Sequence, residues 1–277
     1  MRLALISLLA LAACGKMESV DAGSMLPTDA GFDAGPPPLC LPDRLDAGAA
    51  DAGWDGGYDF SCRGVARPGG GQAELVLTGV TTRAGLTSTP LSGVLVELLT
   101  LEGRVLASTT SAGDAGSYRL TFDAGCFPVD GEVRATSLDV DAGFAPAYAV
   151  PDLPWRYDRG NLELVLFDVS TQTLAALFAN VQLSDGGAAL ALSVEDCAGN
   201  PVEGVEISTN DAGVIRYVGA SGLPSNMFSA TTGEGQAVIF NLYGTSVSVT
   251  ATRNGTVIGQ RTVPIHEGAA SGTTISP

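Results

Sequence analysis

The chain has 277 residues, with 30 Asp and Glu against 14 Lys and Arg and a formal net charge of −16. That balance excludes a nucleic-acid partner, which needs cations to replace the counterions of the phosphate backbone. Lys16 is the only lysine and His266 the only histidine, and no C-x-x-C pair occurs, so lysine chemistry in the body of the chain, a zinc site and a cofactor are not expected.

At the N-terminus, Arg2, an apolar run from Leu3 to Leu11 and the small residues Ala12 and Ala13 have the layout of an export signal. The run is too short to span a bilayer as a helix, which takes about twenty residues. The junction Leu11-Ala12-Ala13-Cys14 resembles the lipobox of bacterial lipoproteins. The resemblance implies removal of residues 1–13, acylation of the Cys14 thiol and a lipid bilayer as partner. Gly15 after the cysteine favours, by the same resemblance, the outer membrane, on its periplasmic or outer face. Two or three acyl chains hold a protein stably where one does not.

Residues 14–71 then read as a disordered acidic tether. The triplet Asp-Ala-Gly begins at Asp21, Asp29, Asp33, Asp46 and Asp51, with Pro36-Pro37-Pro38 and Gly69-Gly70-Gly71 around it. Such a segment has little apolar surface to offset the entropy of ordering, and like charges extend it. The triplet returns at Asp114, Asp123, Asp141 and Asp211. There it reads as turn punctuation, because Asp accepts backbone hydrogen bonds and Gly supplies positive φ.

From residue 73 the apolar residues alternate. Tyr118, Leu120 and Phe122 share one face, and so do Val247, Val249 and Ala251. Comparable runs cover 74–80, 94–99, 105–110, 132–136, 162–167, 190–195, 236–242 and 257–265, separated by turn residues. Period two with one polar face predicts antiparallel strands in an all-β protein of two sandwiches. A single helix is predicted over Thr171–Asn180, capped by Ser170, as a connector between them.

The two strand-rich halves also resemble each other. Pro90-Leu91-Ser92-Gly93-Val94 is echoed by Pro201-Val202-Glu203-Gly204-Val205, and Thr110 and Gly116 by Thr232 and Gly235. With Gly79, Val80, Val96, Tyr118 and Leu120, this order of residues resembles the carboxypeptidase regulatory-like domain; the second copy is looser. The resemblance implies two tandem prealbumin-like sandwiches at 73–168 and 185–277, with the connector at 169–184, acting as non-catalytic accessory modules. Two immunoglobulin-like sandwiches are the alternative architecture.

With Cys14 lipidated, Cys40, Cys62, Cys126 and Cys197 remain, an even number that suits disulfides in an exported chain. Four cysteines allow three pairings. Nearness in sequence puts Cys40 with Cys62 first, leaving Cys126 with Cys197. One stretch, from Tyr148 to Asp158, carries Tyr148, Trp155 and Tyr157 as candidate glycan-stacking rings, although Trp155 equally suits a core position. His266 stands near the last strands without a nucleophile motif such as G-x-S-x-G, so hydrolysis is the remote reading. The sequence therefore points to a lipid-anchored envelope protein with a structural or protein-interaction role, with carbohydrate binding as the alternative.

Overall fold

The structure, a computed structural model, describes residues 54–55, 57–62, 71–84 and 88–277. The export signal, Cys14, Cys40 and most of the expected tether lie outside the described residues. In chain order the elements begin with a short hairpin, β1 (Trp54–Asp55) with β2 (Tyr58–Asp59). The first half contains β3 (Glu74–Arg83), β4 (Thr89–Pro90), β5 (Val94–Thr100), β6 (Val105–Thr110), β7 (Ser117–Asp123), β8 (Gly131–Ser137), β9 (Ala147–Val150) and β10 (Arg159–Leu166). Helix α1 (Val169–Ala179) follows. The second half contains β11 (Ala188–Val194), β12 (Val205–Thr209), β13 (Val214–Val218), β14 (Pro224–Ser225), β15 (Gln236–Leu242), β16 (Ser246–Arg253), β17 (Thr256–Pro264) and β18 (Ala270–Ile275).

The two halves use one pairing scheme. In the first, β3 pairs antiparallel with β7 and parallel with β10, while β8 pairs antiparallel with β5 and β9. In the second, β11 pairs antiparallel with β15 and parallel with β18, while β16 pairs antiparallel with β12 and β17.

The echoed turns share their hydrogen bonds as well. Ser111 Oγ accepts from Val94 N at 3.1 Å and donates to Leu91 O at 3.1 Å. In the second half Thr231 Oγ1 accepts from Val205 N at 2.9 Å and donates to Val202 O at 2.7 Å. Both hydroxyls are buried, so each satisfies backbone groups that water does not reach. Gly116 and Gly235 have φ of 62° and 64°. A Cβ on Gly116 would run into Thr81 O and Leu91 O, and one on Gly235 into Val194 O and Pro201. Glycine is required at both positions by conformation and by space.

The halves are joined edge to edge. Strand β18 pairs parallel with β9 as well as with β11, giving a nine-stranded sheet ordered β14-β13-β15-β11-β18-β9-β8-β5-β6. What the sequence reads as two sandwiches with a helix between them thus shares one continuous sheet. Its two faces carry separate cores. Val94, Val96, Leu98, Val133 and Ala135 face β3, β7 and β10 in the first core. Leu190, Leu192, Val194 and Ile275 face the outer sheet β12-β16-β17 in the second, and the register places them on the opposite face.

Two sequence expectations are corrected. Asp168, not Ser170, caps α1: its carboxylate accepts from Thr171 N at 2.8 Å, and Ser170 Oγ donates to the same carboxylate at 2.6 Å. Asp is as good a cap as Ser, and at two residues before Ser170 it is the N-cap whose carboxylate reaches the N3 amide of Thr171. Second, residues 57–62 lie within the expected disordered tether but pack on the second half. Phe60 is buried in its core with Tyr58 beside it, and Asp59 N donates to Asp196 Oδ2 at 3.2 Å. Tyr58 and Phe60 are an apolar pair at strand spacing, enough to dock a short segment once a disulfide holds it.

Candidate functional site at the seam

The sequence-predicted site residues that fall among the described residues each have a definite place. Trp155 is 4% exposed, with Nε1 donating to Gly131 O at 3.2 Å and its backbone bridging Val129. Tyr148 is buried too, stacked on His266 with ring centroids 3.8 Å apart. Only Tyr157 is exposed. The expected glycan-stacking trio is therefore not a platform: two of its three rings fill the interior. The neighbouring residues Pro151 to Pro154 line an open cleft of about 500 Å³ opposite Thr245 and Arg261 of the second half. The Arg261 guanidinium there donates to Pro151 O and Thr274 O, and burial lowers its pKa.

The cysteines pair otherwise than nearness suggests. Cys62 is bonded to Cys197 with Cα atoms 5.7 Å apart, in place of the expected Cys40–Cys62 and Cys126–Cys197 bonds. Docking of residues 57–62 beside the Asp196 turn brings the two together, with Cys197 N donating to Asp59 O at 2.8 Å. Cys126 is also disulfide-bonded.

His266 is drawn into a buried polar cluster. Its Nε2 lies 2.7 Å from Glu132 Oε1, whose side chain is 3% exposed. The approach lacks the angle of a hydrogen bond, and among the described residues Glu132 Oε2 has no hydrogen-bond partner. Along the same sheet face Arg134 holds Glu97 at 2.6 Å. The loop after β17 thereby fastens the second half onto β8 and β9 of the first.

A cavity of about 270 Å³ lies on the other face of the sheet at the same seam. Its floor is Ala147 and Ala149 of β9, Ala270 and Gly272 of β18, and Ala189 and Ala191 of β11. Val165 of β10, Phe167 just after it, Ala175 of α1 and Phe240 of β15 form walls, and Leu183 also lines the cavity. The charged residues lining it are Glu163, whose Oε1 accepts from Thr82 Oγ1 at 2.9 Å, and Asp185. Among the described residues no Lys, Arg or His lines it. Sequence reasoning missed this cavity; an Ala-x-Ala spacing in both the 147–149 and 189–191 segments was its only trace.

Two carboxyls elsewhere are strongly perturbed. The Ser170 hydroxyl, the Thr171 amide and the Arg83 guanidinium hold Asp168 well below the usual carboxylate range. Burial, reinforced by Asp152 and Asp196 and opposed by Arg159, pushes Glu195 up to about 7.

No family model matches the chain and no curated protein does. Solved structures with some likeness include the shaft pilin SpaA of Lactobacillus rhamnosus GG, at 13% identity, covering 75% of this chain and 98% of the pilin with a TM-score of 0.22. The full-length major pilin RrgB of Streptococcus pneumoniae is 9% identical, with 76% and 50% covered and a TM-score of 0.22. The tip fimbrial protein Mfa3 of Porphyromonas gingivalis is 10% identical, with 69% and 81% covered and a TM-score of 0.23. Likeness at this level carries no argument about this chain's function.

Proposed function

We propose that this chain is an exported, lipid-anchored protein of the bacterial cell envelope, acting without catalysis as a structural or protein-interaction component. The observation that supports it most is the Cys62–Cys197 bond. A structural disulfide forms and persists in an oxidising compartment, which fits the export signal ending at Cys14. The same bond fixes the end of the tether to the body, so an acylated Cys14 would hold the folded part through a covalent link. The lipobox resemblance places the anchor in the outer membrane, facing the periplasm or the surface.

The proposal keeps residues 73–168 and 185–277 as two modules of carboxypeptidase regulatory-like type with 169–184 between them, in line with their shared strand pairing and turn chemistry. The sole histidine is engaged with Glu132 and Tyr148, which suits an accessory module better than a hydrolase. For a protein partner the open end of the long sheet is the natural place. Among the described residues strand β6 pairs with β5 alone, and it carries no Pro or charge, whereas the other end is the two-residue β14, blunted by Pro224. An unprotected edge of this kind accepts a further strand.

The test is fractionation and intact mass of wild type and Cys14→Ser. The wild type should carry an acyl mass increment and sediment with membranes, and the variant should do neither. Both running unacylated and free of membranes would refute the anchor.

A further inference from the structure

The cavity floor is Ala or Gly at every position, whereas the reverse face of the same strands is mixed, with large side chains at most positions and small ones at Ala188 and Ser271. On the reverse face the same strands carry Tyr148 and Val150, Leu190 and Leu192, and Ser271 and Thr273. On the cavity face but farther along the sheet, over the first core, the side chains are again large: Val94, Val96, Leu98 and Val133, all fully buried. Protein interiors are normally filled to crystal-like density, so six Ala and Gly side chains facing an unfilled volume of about 270 Å³ form a built recess. It sits where a small-molecule site is most often found, between two packed units.

The chemistry of the lining selects the occupant. Floor and walls are apolar, and the volume falls just under the range of about 300–1,000 Å³ for drug-sized ligands, which suits a fragment-sized molecule. The rim is of one sign. Glu163 and Asp185 line it, and next to Asp185 Glu267 Oε1 lies 2.6 Å from where a Cβ on Gly186 would stand. Gln172 adds a neutral polar group. An anionic ligand would meet uncompensated carboxylates, a neutral apolar one would leave them unused, and a cation would pair with them.

We propose that the seam cavity binds a small hydrophobic amine, its apolar body on the Ala/Gly floor and its ammonium at the Glu163 and Asp185 rim. This goes beyond the envelope role and does not depend on the anchor. Calorimetry on the full mature chain with hexylamine, 1-hexanol and hexanoate as probes tests it. Hexylamine should bind saturably, hexanol at least tenfold more weakly, and hexanoate not at all. Glu163→Gln should weaken hexylamine at least fivefold and leave hexanol unchanged. Ala270→Leu, which fills the floor, should abolish binding of both with the melting temperature kept. No hexylamine binding, equal binding of hexylamine and hexanoate, or an unaltered amine affinity in both variants would overturn the proposal. Should Ala270→Leu fail to fold, the Glu163→Gln comparison decides alone.

Discussion

Glu132 has one carboxylate oxygen facing His266 and the other facing no donor, in a side chain that is 3% exposed. Removing His266 takes the nearest polar neighbour from a buried carboxyl group. We expect His266→Ala to destabilise the protein by about 2–5 kcal/mol in urea unfolding, and Glu132→Gln in the same background to recover part of the loss. An effect below about 0.5 kcal/mol, the range of ordinary surface substitutions, would show that the pair does not hold the seam. Glu195 gives a pH dependence of definite sign. Its pKa in the folded protein is raised above the usual carboxylate range to about 7, so the native state retains a proton that the unfolded chain gives up. Its contribution is complete below the unfolded value and is lost as pH rises through about 7. Stability measured across this window should fall less steeply in Glu195→Gln than in wild type. Asp168 acts in the opposite direction: its depressed pKa contributes stability that disappears as pH falls below the ordinary Asp range.

At the scale of elements, the strands with one polar face were legible from their alternation. Ser117–Asp123 and Ser246–Arg253 appear where the period of two put them. The turn echo was legible too, but its latch was displaced by one residue: the buried hydroxyls are Ser111 and Thr231, next to the Thr110 and Thr232 that the pattern marked. Ser111→Ala and Thr231→Val should each cost about 1–3 kcal/mol, because the first leaves the Val94 amide without its acceptor, while Leu91 O keeps Thr81 Oγ1 as a donor, and the second strips both the Val205 amide and the Val202 carbonyl of their hydroxyl partner; thermal unfolding checks it. What the pattern did not show were β9 and β18, the strands that join the halves. Both are buried on two faces; β18 is built largely from Ala, Gly, Ser and Thr, and β9 has only four residues, two of them Ala, so neither is marked by a run of alternating polar and apolar residues. The cavity was hidden for the same reason, since it is made by side chains that are small. For the β6 edge, Ser108→Lys with Thr110→Lys places charge at two exposed positions. In sedimentation at rising protein concentration the double variant should self-associate less than wild type.

Over the whole molecule, the Cys62–Cys197 bond closes a loop of 135 residues that contains the entire first half. In the chain-entropy model such a loop contributes about 5 kcal/mol by restricting the unfolded chain. Cys197→Ser should therefore lower the denaturation midpoint more than either hydroxyl variant. The pairing also bears on the anchor. Cys126 is disulfide-bonded and Cys62 is taken, so of the chain's five cysteines only Cys14 and Cys40 remain as its partner. An acylated Cys14 leaves Cys40. The most direct measurement is a non-reducing peptide map of the membrane-extracted protein, read together with the mass of its N-terminal peptide. We predict a Cys62–Cys197 link, a Cys40–Cys126 link and an acyl increment on Cys14. A Cys14–Cys126 link would contradict the lipid anchor, because that thiol cannot be acylated and oxidised at once.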